Sequence, residues 1–335
     1  MKKLITSALC LALLSSCALA FGGCGGGGKM YVEGDFSEQA TAEQVSAVLN
    51  DIEANTIFGD QSAADWSLGV HMLADLSLQL DASDASGARA VLDVQGSVDQ
   101  KIGYSKAELG TDTRASGSVD FTANAEIEEG DVRYDFDAHV GGSSYLAEGS
   151  AYLDGSLSLS GAGMNVDVSG KYLLPAGDAS VSWEDLFDLN TVWSLVSASL
   201  MAGNPVYIDE SGAQTKVKVS IDLKEDALDQ GGGSASGGIF TAVSEDSTLD
   251  IYSSIDKETN ELVAFGIVID ATVPEGTEVD GAALALELDA SVWYLVEDVA
   301  VDAPADPDSY FDLQGLIGAL APEQGGTVGM SLPRK

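Results

Sequence analysis

The chain has 335 residues, of which 54 are Asp or Glu and 15 are Lys or Arg, for a net charge of −39. A surface of that sign repels polyphosphates and anionic headgroups, which excludes nucleic acid as a partner. A hydrophobic content of 45% with positive mean hydropathy excludes disorder along the whole chain.

In chain order, the first element is a leader. Lys2 and Lys3 precede a mostly apolar run from Leu4 to Phe21, and small residues follow at Gly22 and Gly23. That is the pattern of a signal peptide for export. The run is too short, and too rich in Ser and Cys, for a transmembrane span. All three cysteines, Cys10, Cys17 and Cys24, fall in the first 24 residues. The body therefore folds without disulfides despite export, and burial must hold it. Two tetrapeptides compete as bacterial lipidation signals. Leu14-Ser15-Ser16-Cys17 fits the consensus closely but leaves apolar Ala18 to Phe21 on the mature chain. Phe21-Gly22-Gly23-Cys24 fits less closely but is followed by Gly25 to Gly28, a flexible tether. Cys24 is the preferred lipidation site and Cys17 the alternative. Plain cleavage after Ala18-Leu19-Ala20 would instead release a soluble secreted protein.

Thr41 with Gln44 forms a capping box, and Val45, Val48, Leu49 and Ile52 recur at helical spacing, predicting a helix to about Ala54. Beyond Trp66 the period changes to two. Leu68 to Leu80 alternate apolar and polar, with only Leu73 breaking the polar side. The same alternation returns at 88–99, 115–127 and 132–140, and predicts further strands at 145–153, 155–161 and 164–174. Glu129-Gly130-Asp131 and Asp154-Gly155 read as tight turns, so neighbouring strands are antiparallel. After Pro175, Ser182 caps a second helix to about Leu200 with a broad apolar stripe that includes Trp183, Phe187 and Trp193. Strands follow at 205–208, 215–224, 247–255, 261–273, 282–296 and 298–302. Asp256 to Asn260 reads as a hairpin turn, Gly231 to Gly238 as a linker, and Tyr310 to Leu320 as a weak amphipathic stretch.

These elements predict a mainly β fold of α+β class: a large curved antiparallel sheet, an open half-barrel, with two or three helices as a lid on its concave face. Residues 1–23 are the signal peptide and 24–40 the Gly-rich tether. Residues 41–304 form one domain, with 41–175 holding the first helix and the long-strand meander and 176–304 the lid helix and second strand set. Residues 305–335 are a C-terminal tail. Strands of some fifteen residues would span about 50 Å if straight and must coil. Many inward positions are small, so the concave face is expected to enclose an apolar hollow. Leu76, Leu78, Leu92, Val94, Phe121, Tyr134 and Phe136 would line it, with Trp183, Phe187 and Trp193 as cover. A face that closes on itself as a packed core is the alternative.

The order of elements resembles the lipoprotein-carrier fold of LolA, LolB and the LppX/LprG group. A lipidation cysteine precedes a helix, Thr41–Ala54, then a long-strand meander, a second helix, Ser182–Leu200, and a second strand set. Val292-Trp293-Tyr294 then runs through Val299-Ala300-Val301 into Asp302-Ala303-Pro304, similar to the closing strand and exit of the LppX/LprG group. The resemblance covers nearly the whole mature chain and implies an open half-barrel that binds acyl chains. Arg89, Arg114 and Arg133 all fall on polar faces, whereas LolA is similar in fold but uses an inward Arg. That argues against LolA-type lipoprotein release and leaves lipid binding or transfer.

No catalytic constellation appears. His71 and His139 sit on polar strand faces, no G-x-S-x-G elbow occurs, and the body has no thiol. Asp302, Asp306, Asp308 and Asp312 lack the spacing and glycine of a calcium loop, so no metal and no cofactor is expected. The expectation is a non-enzymatic, monomeric, exported protein of the cell envelope, held to a membrane by an N-terminal lipid anchor and carrying a lipid or acyl-chain ligand. A structural or adhesive module with a filled core is the alternative. An outer-membrane barrel is disfavoured by the few aromatics and the absence of a girdle pattern.

Overall fold

The computed structural model describes residues 30–51, 58, 67–105, 114–147, 150–161, 163–174, 203–224, 242–279 and 281–312. Among them are one α-helix, α1 (Ala42–Asp51), and twelve strands. These are β1 (Ser67–Asp84), β2 (Arg89–Ser105), β3 (Arg114–Glu129), β4 (Val132–Ala147), β5 (Ser150–Gly161) and β6 (Met164–Leu174). After them come β7 (Val206–Asp209), β8 (Gln214–Asp222), β9 (Thr248–Asp256), β10 (Leu262–Val279), β11 (Ala282–Val296) and β12 (Phe311–Asp312). All belong to one open curved sheet in the order β12-β6-β5-β4-β3-β2-β1-β11-β10-β9-β8-β7. Every neighbouring pair is antiparallel except β12 with β6. No described helix is long and apolar enough to cross a membrane.

The period-two pattern sets which side of the sheet is greasy. In β1, Val70, Met72, Ala74, Leu76, Leu78, Leu80 and Ala82 are all buried, while the residues between them are not. The helix α1 begins as the capping box requires: Thr41 N–H donates to Gln44 Oε1 at 2.9 Å, and Gln44 N–H donates to Thr41 Oγ1 at 3.3 Å. Its Val45 and Val48, with Phe58, pack on the apolar face against Val70, Met72, Ile102, Val217, Val219 and Phe265. The expected second helix, with Trp183, Phe187 and Trp193, lies outside the described residues. So do the Gly231–Gly238 linker and the tail beyond Asp312.

Three expectations are corrected. Asp154-Gly155 is not a turn. Both residues lie inside β5, where Gly155 pairs with Gly142 of β4. The two backbones approach so closely there that a Cβ on Gly155 would stand 2.0 Å from the Gly141 carbonyl oxygen. Glycine at this point permits close contact within the sheet, not a reversal. Second, 298–302 is not a strand. Residues 297–312 form a strap over the polar face at one end of the sheet. Glu297 N–H donates to the Gly69 carbonyl, and Asp302 N–H donates to Ser116 Oγ at 2.8 Å. Lys171 Nζ donates to the Ala305 carbonyl at 2.8 Å, and Tyr310 meets Tyr152 edge to face. The strap thus crosses from β1 to β6 before β12 pairs beside β6.

Third, residues 30–40 of the expected flexible tether are docked. Val32, 1% exposed, sits on the polar side of the sheet with Tyr252, Ala264 and Trp293. Leu73, the lone apolar residue on the polar side of β1, belongs to the same cluster. The segment then rounds the β7 edge. Asp35 N–H donates to Asp209 Oδ2 at 3.2 Å, Gln39 bridges Tyr207, and Ala40 N–H donates to the Val206 carbonyl. It delivers α1 to the opposite face, so one stretch of chain covers both sides of an edge that would otherwise be open.

Asp209 ties this wrap together. Hydrogen bonds from Ser211, and then from the Asp35 N–H, pull its carboxyl down to about 2. The unfolded carboxyl titrates near 3.9. A depressed folded value stabilises above the unfolded one, and that support is lost as pH falls from about 4 through about 2. Acidification over this window is expected to loosen residues 30–40, read as increased hydrogen exchange there. Asp209→Asn should show a weaker pH dependence than wild type, the remainder coming from Asp35, whose carboxyl the Ser37 hydrogen bonds also lower. Equal profiles for both proteins would refute the assignment.

Candidate ligand-binding face

The apolar face is not uniformly covered. Over β1, β2, β10 and β11 it is a packed core, where Leu76, Leu78, Leu92 and Val94 are buried together with Val243, Val273, Leu284 and Leu286. Leu76, Leu78, Leu92 and Val94, expected to line a hollow, are all buried in this cluster. On β3 and β4 the end that holds Ala115 and Leu146 stays in the core, and toward the other end the same face opens. The row Phe121, Val140, Leu157, Val168 crosses β3 to β6, and the row Ala123, Ala138, Leu159, Val166 runs beside it. All eight are only partly buried. At the far end Tyr134 is 44% and Val132 47% exposed, and Phe136 is half-buried.

Phe121 marks the boundary. It packs against both core clusters, and its ring lies over Gly96 of β2, where a Cβ would be 2.0 Å from its Cδ1. Glycine at 96 lets the ring lie down and cap the core edge. From there the four strands β3 to β6 span about 14 Å at their usual spacing. Their apolar side chains offer desolvation and dispersion but no acid, base or nucleophile. Of the expected lining residues, Phe121, Tyr134 and Phe136 lie on this open part, and Trp183, Phe187 and Trp193 lie outside the described residues. Val140, Leu157, Leu159, Val166 and Val168 were not singled out from the sequence, although their alternation carried the signal.

The polar face is charged and mostly paired. His71 stands between Asp99 Oδ1 at 2.7 Å and Glu297 Oε1 at 3.0 Å, so it joins β1, β2 and the strap rather than facing free solvent. Arg89 pairs with Asp81, and Arg133 with Glu126 and Asp135. Both arginines are on the polar face, as the alternation requires. Lys218 pairs with Asp250 at 2.8 Å; burial works against its charge, but its hydrogen bond to Asp250, that carboxylate's charge and Tyr252 together raise the Lys218 amine. A shallow depression of about 530 Å³ includes Asp75, Asp120 and Asp289. Burial raises the Asp75 carboxyl. Among the described residues, no group of three or more His, Cys, Asp or Glu could hold a metal ion.

No family model matches the chain, and no curated protein matches it. Among solved structures it is similar to a β-barrel-like protein of a domain of unknown function, DUF1849, from Brucella abortus. That similarity has 12% identity over 68% of this chain and 98% of the other, with a TM-score of 0.15. The translocator domain of the autotransporter NalP from Neisseria meningitidis matches at 9% identity over 75% of this chain and 93% of the other, with a TM-score of 0.13. At these scores neither neighbour bears on function.

Proposed function

We propose that the protein is a non-enzymatic envelope lipoprotein that binds an acyl chain on the open apolar face of β3 to β6. One observation carries this reading. The alternating pattern that is buried on β1 is only partly buried along four adjacent strands, and Tyr134 beside it is exposed. Neighbouring apolar side chains left partly open on a protein this acidic mark a binding surface. In this reading the stripe of Trp183, Phe187 and Trp193 expected from the sequence is the cover; it lies outside the described residues. The reading keeps the resemblance to the LppX/LprG group and an anchor at Cys24.

The filled core around Leu76, Leu78, Leu92 and Val94 favours a second reading, a structural surface module with no ligand. Native mass spectrometry of the leaderless protein separates the two. A bound lipid mass is expected in wild type and is expected to be lost in Phe136→Asp, with an unchanged far-ultraviolet spectrum. Wild type that carries no lipid and takes up no fluorescent fatty acid would sink the carrier reading.

A further inference from the structure

The N-terminal segment is fixed on one particular side of the sheet. The Tyr31 ring lies 5.7 Å from Trp293, and the Phe36 ring lies 6.0 Å from Tyr252. Lys216 Nζ donates to the Glu33 carbonyl, and Met30 packs with the Trp293 cluster. All these partners belong to the polar face. Cys24 precedes Met30 by six residues. Six extended residues reach at most about 21 Å, less than half the length of β1 if that strand were straight.

Resting on the lipid-anchored reading above, we propose that acylated Cys24 holds the polar face toward its own bilayer. The apolar faces of β3 to β6 then open away from that bilayer. The acyl ligand is exchanged with the aqueous side, not drawn from the anchoring membrane. A tether ending on the apolar face, or one several times longer, would impose no such orientation. The carboxylates of the polar face, Asp75, Asp99 and Asp289 among them, act against close contact with anionic headgroups.

The test uses the full lipidated chain in vesicles of phosphatidylcholine and phosphatidylglycerol that carry a headgroup nitroxide. Cys24 is the last native cysteine, so once it is lipidated Ser97→Cys on the polar face or Tyr134→Cys on the apolar face gives a single site for a fluorophore. The Ser97 label is expected to lose emission to the nitroxide and the Tyr134 label to keep it. Inserting about twenty Gly/Ser residues after Gly28 should abolish that difference. Equal quenching at the two sites, or stronger quenching at Tyr134, in protein that floats with the vesicles overturns the orientation. A chain that does not float, with Cys24 unmodified by mass, overturns the anchor and the orientation with it. Flotation tells the two failures apart.

Discussion

Trp293→Ala is expected to lower unfolding free energy by about 3–5 kcal/mol, the range for deleting a fully buried aromatic side chain. Trp293 is buried at the centre of the polar-side cluster. Its ring touches Tyr31 and Tyr252 and lies over Gly266 of β10, where a Cβ would come within 2.3 Å of it. Removing the indole opens a cavity that no side chain at 266 can fill. It also removes the platform on which residues 30–36 rest. Denaturant unfolding should therefore show a lower midpoint, and hydrogen exchange should rise first in residues 30–40. A loss under 1 kcal/mol, with exchange at 30–40 unchanged, would show that the wrap is held elsewhere.

Gly155→Ala is expected to separate β4 from β5. The new methyl would meet the Gly141 carbonyl oxygen at 2.0 Å and the Gly142 Cα at 2.8 Å, both backbone atoms with no rotamer to yield. Gly142 has φ +149, so the partner strand is itself in a conformation that side chains rarely adopt. Overpacking of this kind costs about 1–3 kcal/mol. The damage should be local, because β5 and β6 border the open face rather than the packed core. Exchange is expected to increase across β4 to β6 and to stay low in β1, β10 and β11. Acyl-chain binding should fall with it. Uniform destabilisation of the whole sheet would contradict a wing that opens independently of the core.

These two positions show where the sequence was legible and where it was not. Trp293 stood in a strand predicted at 282–296, and β11 is Ala282–Val296. The alternation of β1 placed Val70 to Ala82 on one side correctly because a buried side of a strand needs an apolar residue at every second place. Leu73 broke that rule for a reason the chain by itself does not state: residues 30–36, some forty positions earlier, cover it. Gly155 misled because an Asp-Gly pair reads as a turn wherever it occurs, while close approach of two strands leaves no local mark. The strap was misread as a strand for a related reason. Val299 and Val301 alternate like a strand but pack beside Gly69 and Gly103 without a ladder of their own.

The side of the sheet taken by each described candidate residue was legible. Phe121, Tyr134 and Phe136 were placed on the apolar face by periodicity, and the structure leaves them partly open. Leu76, Leu78, Leu92 and Val94 have the same periodicity and are buried in one cluster with Val243, Val273, Leu284 and Leu286. Nothing in the local pattern separates the two groups.

The amino-acid sequence by itself determined that this is an antiparallel β protein, which side of each long strand is greasy, where α1 starts and where the hairpin turn at Asp256 to Asn260 falls. Those features depend on neighbours within a few positions. Only the tertiary structure decided that β11 lies beside β1, that the N-terminal segment wraps the β7 edge, and that the apolar face is buried over β1 and β2 but partly open over the Tyr134 end of β3 to β6. Burial at a given residue depends on what the distant parts of the chain bring to it, and alternation states only which side is waiting to be covered.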